Sequence, residues 1–288
     1  MRRIRSGTWY RPTSVTVATR EAIPPSDFSL LVAAAHGWPW GGVSGESLRV
    51  ACGLAKASGP LEVAVPHSRS GTRDPTVILR RRLDLPLGYV RLESGRRIPI
   101  DLSAASLREA ADELKPEDLA WLLVKTCGPL APARRCERLH ALSGVRQAWG
   151  QAQRTLVREL GLAVCAGAES AGEVYVWHLL TRLRVSFTAQ RTLAVEPDRS
   201  CIVGTSKIRT DFLLEGGVCL EVDSGLHDHV RDVRRDLCNL EVGRRTVRLV
   251  GLDAIDHPAL MYEQLRRALP RLGVEIRPTP LPWWLQAA

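Results

Sequence analysis

The chain has 288 residues, 45% of them hydrophobic, with 40 Lys plus Arg against 31 Asp plus Glu and a formal net charge of +9. That length suggests two domains, and the apolar content is enough for real cores. The basic surplus is mostly Arg and favours an anionic partner, nucleic acid ahead of membrane, because Arg grips phosphate with two donors; a G+C-rich genome would enrich Arg as well.

The seven cysteines are odd in number and show no CxxC spacing, as expected for free thiols in a reducing cytoplasm. No apolar run follows Met1-Arg-Arg-Ile, so neither a secretory signal nor a membrane span is expected.

In chain order, residues 1–25 are polar, carry Pro12, Pro24 and Pro25, and read as a flexible arm. Ser26 or Asp27 can cap a helix that runs from Phe28 and stops at Gly37. Ser44 can cap a second helix reaching about Ala57. Leu61–Val65 and Thr76–Arg82 read as strands, and Tyr89–Leu92 and Arg97–Ile100 as shorter ones.

Helix, helix and basic hairpin is the order of a winged helix. Residues 26–100 are therefore expected to form an α+β, winged-helix-like domain that binds DNA through Arg69, Arg73, Arg80, Arg81 and Arg82. A merely solvated basic edge is the alternative. Residues 101–163 read as a helical connector, with helices at 103–114, 116–126, 134–142 and 145–160. His140 within it is expected at a helix end or on the surface.

Residues 164–272 alternate differently: helix 171–184, strands 185–195, 206–214 and 218–224, helix 228–242, strand 245–250 and helix 258–269. A strand, a crossover helix and a strand in one sheet predict a parallel pair. Val230, Val233, Leu237 and Leu240 recur at helical spacing and predict the buried face of the second helix. Residues 273–288 read as an extended tail whose Trp283 and Trp284 cover an apolar surface.

The chemistry concentrates between Ile208 and His229. Asp211, Glu221 and Asp223 sit inside apolar strand-like runs, where a carboxylate is costly unless paired. Strand parity puts Glu221 and Asp223 on one face. A two-residue Gly216-Gly217 turn would pair Asp211 with Val222 and separate the acids. A three-residue loop, Glu215–Gly217, pairs Leu214 with Val218 and Asp211 with Glu221, and is favoured because Gly accepts the left-handed conformation such loops need. All three carboxylates then cluster, and an all-oxygen cluster suits Mg²⁺ or Mn²⁺.

This stretch resembles the PD-(D/E)xK nuclease superfamily, more narrowly the domain related to very-short-patch-repair endonucleases. The matching residues are Ser170-Ala171-Gly172-Glu173, Asp211-Phe212, Glu221-Val222-Asp223-Ser224-Gly225-Leu226-His227, Arg235-Asp236 and Gly243, within roughly residues 168–270. Ala171, Ser224 and Arg244 depart from the usual Pro, Gly and Trp, and the lysine of the superfamily name is absent, as it is in the short-patch-repair branch. Val43-Ser44, Leu48–Leu54, Leu61–Pro66 and Ile98–Ser106 more loosely resemble the N-terminal half of AbiE-type (type IV) antitoxin-like proteins, which carry a winged helix.

The resemblance implies an α/β, restriction-endonuclease-like αβββαβ core. Asp211 would be the central metal ligand, Glu221 and Asp223 would complete the set, and His227 would move protons, with His229 as the alternate. Glu173 would reach the metal through water or position the base, although Ser170-x-x-Glu173 is by itself a helix capping box. Arg234 and Arg235 would hold a phosphate or pair with Asp232 and Asp236. The implied activity is Mg²⁺- or Mn²⁺-dependent DNA cleavage in repair or in defence against foreign DNA. The alternative is a DNA-binding regulator or antitoxin-like protein with an inactive nuclease-like domain. DNA is the expected partner, no membrane is involved, and homodimerisation is left open.

Overall fold

The computed structural model describes residues 9–10, 18–19, 30, 33–34, 40–68, 75–92, 94–143, 149–194, 207–223 and 229–286. The chain divides into two compact units, Met1–Gly161 and Leu162–Ala288. Among the described residues no helix is long and apolar enough to cross a membrane. Both units mix helices with a mixed sheet, so the chain is of the α/β class.

In the first unit the short strands β1 (Trp9–Tyr10) and β2 (Ala18–Thr19) pair antiparallel. The main sheet contains β3 (Gly42–Val43), β4 (Leu61–Pro66), β5 (Val77–Arg82), β6 (Leu87–Arg91) and β7 (Arg97–Asp101), in the order β5-β4-β3-β7-β6. β4 to β7 were legible because branched apolar side chains recur on their inward side, and Val63, Val65, Ile98 and Ile100 are all buried; the two-residue β3 was not read from the sequence.

Their pairing corrects the wing. β4 and β5 run parallel, Leu61 opposite Val77 through Pro66 opposite Arg82, so these two strands do not form a hairpin. Among the described residues, β4 and β5 therefore do not make the expected antiparallel basic wing. Arg69 and Arg73 lie outside the described residues.

The second predicted helix also shrinks, to α1 (Ser47–Ala51), with Glu46 rather than Ser44 at its N-cap. Ser44 is instead buried, its hydroxyl donating to Asp101 Oδ2 at 2.9 Å, and Ser47 Oγ accepts from Glu62 N at 2.7 Å. The described residues of the unit also include α2 (Ala104–Ala111), α3 (Pro116–Cys127), α4 (Pro132–Ser143) and α5 (Gln151–Cys165), the last running past the unit boundary. α3 starts where Pro116 presets the first turn and Glu117 and Asp118 face the positive end of the helix. Leu107, Leu119, Leu122 and Leu123 are buried, the Trp121 indole donates to Cys52 O, and Arg49 reaches Ala110 O. α2 and α3 of the expected helical connector therefore pack with α1 and the sheet within the first unit.

The second unit has the elements read from the sequence, α6 (Ala171–Arg182), β8 (Phe187–Ala194), β9 (Lys207–Leu214), β10 (Val218–Asp223), α7 (His229–Glu241), β11 (Arg245–Val250) and, after an unforeseen α8 (Gly251–Asp256), α9 (Pro258–Ala268); a 3-10 turn (Leu269–Leu272) and α10 (Trp283–Gln286) were not foreseen either. The sheet order is β11-β10-β9-β8, antiparallel except for the expected parallel β10–β11 pair across α7.

α6 and α8 approach so closely that a Cβ on Gly172 would lie 2.8 Å from Gly251 Cα. The C-terminal segment is docked rather than extended. Arg277 N and Thr279 N donate to Leu183 O and Arg182 O, and buried Trp284 sits edge-on to Tyr175 and His178. Trp283 remains exposed.

Candidate functional site

The β9–β10 connection sets the site. Gly216 and Gly217 adopt φ of 79° and 75°, a region costly for residues with a Cβ, and the loop Glu215–Gly217 places Val218 opposite Leu214. Leu220 pairs with Phe212, so one further step of the same register brings Asp211 to the level of Glu221. Glu221 in turn lies opposite Arg248 on β11. On the other side, Ala189 pairs with Phe212 and Arg191 with Thr210, which sets Gln190 opposite Asp211. One row across four strands thus reads Gln190, Asp211, Glu221, Arg248.

The ladder is open at this row. Asp211 Oδ2 accepts from Val222 N at 2.8 Å, a side chain taking the place of a backbone carbonyl. Gln190 has φ of 51°, a left-handed conformation that costs a residue other than Gly about 1–2 kcal/mol.

Glu173 comes from the first turn of α6. Ser170 is extended at the N-cap, and its hydroxyl accepts from Glu173 N at 3.1 Å, which is one half of a capping box. The Glu173 carboxylate is committed elsewhere: its Oε2 accepts from Glu169 N at 3.0 Å and from Gln190 Nε2 at 2.6 Å.

Electrostatics tie the acids together. Burial pushes Glu173 from 4.5 up to about 7, and the Asp211 charge adds to the rise. Burial likewise pushes Glu221 from 4.5 up to about 7, again with Asp211 adding, while Arg235 opposes. Asp211 is raised by burial and held back by the Val222 bond and by Arg235, Arg209 and Gln190. Three carboxylates near one another, two of them almost fully buried, resist simultaneous ionisation without a compensating cation. Glu221 Oε1 is buried without a hydrogen-bond partner.

Asp223 is engaged differently from its neighbours. It pairs with Arg248 Nη1 at 3.0 Å, and Arg248 also reaches Asp232 at 3.4 Å and Asp236 at 2.9 Å. Arg235 pairs with Glu221 at 3.1 Å and with Asp232 at 3.4 Å. The structure thus gathers Glu173, Asp211 and Glu221 and gives Asp223 to an arginine–aspartate network. Arg235 points into that network, whereas Arg234 is exposed. His227 lies outside the described residues, and of the His229 side chain nothing is described. Among the described residues no group of three or more His, Cys, Asp or Glu stands ready to enclose a metal ion. The donor chemistry nevertheless fits a hard divalent cation, because Mg²⁺ commonly takes only one or two carboxylates and completes its shell with water and phosphate. Asp211 and Glu221 are the residues that would hold it.

α7 corrects a packing expectation. Val233, Leu237 and Leu240 are 58%, 55% and 62% exposed, whereas Asp232, Cys238 and Asn239 are buried and Arg235 is half-buried. The helix turns its charged side to the sheet because Glu221 and Asp223 need cations and hydrogen-bond partners there.

Sequence reasoning missed Gln190, Arg209 and Arg248. Arg209 forms a two-pronged pair with Glu169 at 2.9 and 2.6 Å at the margin of the site. Only a long-range register could have revealed Gln190, since its local sequence is ordinary strand. In the first unit, Arg80 pairs with Glu62 and Arg82 faces buried Asp101 and Glu109 at 3.5 and 3.7 Å. Arg81 is exposed and forms no ion pair among the described residues.

Comparison with protein-family models, with curated proteins and with solved structures finds no match for this chain.

Proposed function

We propose that this chain binds DNA and that its second unit, a restriction-endonuclease-like αβββαβ core, hydrolyses phosphodiesters with Mg²⁺ or Mn²⁺, acting in repair or in defence against foreign DNA. The observation that carries the reading is the convergence of Glu173, Asp211 and Glu221 at an opened row of the sheet, with their pKa values raised and Glu221 Oε1 lacking a partner. The sequence resemblance to PD-(D/E)xK nucleases supports it.

In this reading Asp211 and Glu221 hold the cation, which when bound supplies charge neutralisation and an activated water. Glu173, fixed by Glu169 N and Gln190, orients a water beside Asp211. His227 is the proton-transfer candidate, since an imidazole titrates near neutrality. Arg234 is an exposed cation available to phosphates, and Arg209, exposed but paired with Glu169, is a second one at the margin of the site.

A second reading, a DNA-binding regulator or antitoxin-like protein with an inactive nuclease-like unit, is favoured by one observation: Arg235 and Arg248 already neutralise Glu221 and Asp223 without any metal.

Plasmid nicking with Mg²⁺ or Mn²⁺, with and without EDTA, separates the two. The wild-type chain is expected to cut only with metal. Asp211→Asn keeps the size but removes the charge, and should lose cutting while retaining fold and DNA affinity. Cutting by Asp211→Asn at the wild-type rate, or no cutting by the wild type of any DNA form with either metal, would reject the nuclease reading.

A further inference from the structure

The first unit does contain an antiparallel basic hairpin, at a place other than the expected one. β6 and β7 pair antiparallel, with Arg91 opposite Arg97 and Tyr89 opposite Pro99. The loop between them is tightly held. Gly95 N donates to Leu92 O at 2.9 Å and Leu92 N to Arg96 O at 2.8 Å, and Gly95 takes the positive φ, 79°, that such a turn favours. Strand parity puts Tyr89, Arg91, Arg97 and Pro99 on one face. Tyr89, Arg91, Arg96 and Arg97 are exposed, whereas Val90, Leu92 and Ile98 are buried.

Three arginines thus crowd one end of the hairpin. Among the described residues none of them forms an ion pair or a side-chain hydrogen bond; Glu93 of the loop lies outside the described residues. Arg80 and Arg82 of β5 differ, the first pairing with Glu62 and the second facing Asp101 and Glu109. Like charges directly opposite one another on antiparallel strands cost stability. Protection of a sheet edge explains a charge at Arg91, because β6 is an edge strand, but not at Arg97, because β7 is interior. An anion bound across the pair would remove the repulsion.

The surface chemistry selects the kind of anion. Neighbouring guanidinium groups grip phosphate oxygens two at a time. The loop has no exposed apolar side chain among its described residues, so nothing there inserts into a lipid surface. A two-stranded ribbon is also narrow enough to lie along a DNA groove between rows of phosphates.

We propose that the β6–β7 hairpin is a DNA-binding surface of the first unit, on which Arg91, Arg96 and Arg97 hold backbone phosphates of a duplex. The inference deepens the reading of this chain as DNA-binding and rests on that part of it, not on the cleavage chemistry. Contacts of this kind supply affinity and position rather than sequence readout.

The test measures duplex DNA binding by the full chain in EDTA, by fluorescence anisotropy across a salt series. The wild type is compared with a triple glutamine variant (Arg91→Gln, Arg96→Gln, Arg97→Gln), the matching triple lysine variant, and Arg158→Gln, which changes an exposed arginine on α5. Each phosphate contact contributes about 0.9 to the slope of log affinity against log salt, so the glutamine variant should lower the slope by about 2.7. Between about 50 and 200 mM salt it should then lose about 40-fold less affinity than the wild type does. The lysine variant keeps the charges and should keep the slope, as should Arg158→Gln. The glutamine variant should melt no lower than wild type, because it removes a repulsive pair.

An unchanged slope in the glutamine variant overturns the inference, and the nuclease reading still stands if the wild type cuts. An equal fall in the lysine variant or in Arg158→Gln also overturns it, since the effect would then not belong to charge on this hairpin. So does a marked drop in the melting temperature of the glutamine variant, which would make the arginines part of the fold. A wild type that binds no duplex DNA, whether or not it binds single-stranded RNA or anionic phospholipid vesicles, overturns both the inference and the DNA-binding reading. Hairpin-dependent binding by a wild type that cuts no DNA sustains the inference while the nuclease reading falls.

Discussion

Replacing Glu221 by Gln should make the metal-free protein more stable at pH 8 than at pH 5, each measured relative to wild type. Glu221 is 2% exposed, and burial, aided by Asp211, lifts it from 4.5 to about 7. Between those values the folded chain holds a proton that the unfolded chain has released. Stability from this group is therefore fully present below about pH 4.5 and is lost as pH rises through about 7. From pH 5 to the folded pKa is about two pH units, and at ~1.4 kcal/mol per unit the loss is about 3 kcal/mol.

Glutamine resembles the protonated acid at every pH and escapes that loss. The altered pairing with Arg235 is contained in the net shift, because Arg235 already opposes it. Scanning calorimetry of the full chain in EDTA should show the melting advantage of Glu221→Gln growing by roughly 10 °C between pH 5 and pH 8, at several degrees per kcal/mol. Adding Mg²⁺ at pH 8 should narrow the gap by stabilising only the wild type. Parallel pH profiles for the two proteins would refute the argument, since they would mean that Glu221 ionises freely in the fold.

Three further outcomes are expected. Gly172→Ala should destabilise the chain by about 1–3 kcal/mol in urea unfolding, because its Cβ would meet the Gly251 backbone at 2.8 Å and neither helix can give way cheaply. Leu237→Lys should change stability by less than about 0.5 kcal/mol, since the side chain is 55% exposed; a loss of several kcal/mol would mean that this face of α7 is buried after all. Duplex DNA binding by the full chain should weaken steeply as salt rises, and Arg81→Glu should reduce the slope of log affinity against log salt by about 1 per lost phosphate contact. An unchanged slope would remove Arg81 from the interface.

Local patterns carried much of the second unit. The loop of three, Glu215–Gly217, could be chosen because Gly216 and Gly217 both accept positive φ, and the loop then fixed the register to Leu214–Val218 without any long-range information. The parallel β10–β11 pair followed from strand, helix and strand in succession. The first unit was less legible because a basic loop between two strands looks the same in sequence whether it turns back or crosses over. Strand direction there is set by which edges remain free, and β4 pairs on one side with β3 and on the other with β5. Ser44 was misread for a related reason. A Ser before an apolar run fits an N-cap, but a buried Asp101 from β7, far along the chain, outcompetes the helix for its hydroxyl.

α7 shows why hydrophobic periodicity failed at the site itself. A helix normally turns its apolar stripe inward because apolar burial is worth more than any surface charge pair. On this sheet, however, β10 presents Glu221 and Asp223 to the helix, and β11 presents Arg248. An apolar stripe laid over those groups would leave two carboxylates and a guanidinium desolvated, a cost of several kcal/mol for each unpaired ion. Facing them with Arg235, Asp232 and Asp236 instead gives every charge an opposite within 3.4 Å and leaves Val233, Leu237 and Leu240 in solvent. Each exposed apolar residue forgoes about 1.5–3 kcal/mol of burial, which is less than the cost of stranding the acids. Asp211 and Glu173 lie outside this network: apart from Arg235 and Arg209, whose charges also reach Asp211, the compensation around them is two backbone N–H groups and the Gln190 amide. The fold thus neutralises Asp223 through Arg248 and leaves Glu173, Asp211 and the unpartnered Oε1 of Glu221, at the opened row of the sheet, with unmet demand for positive charge.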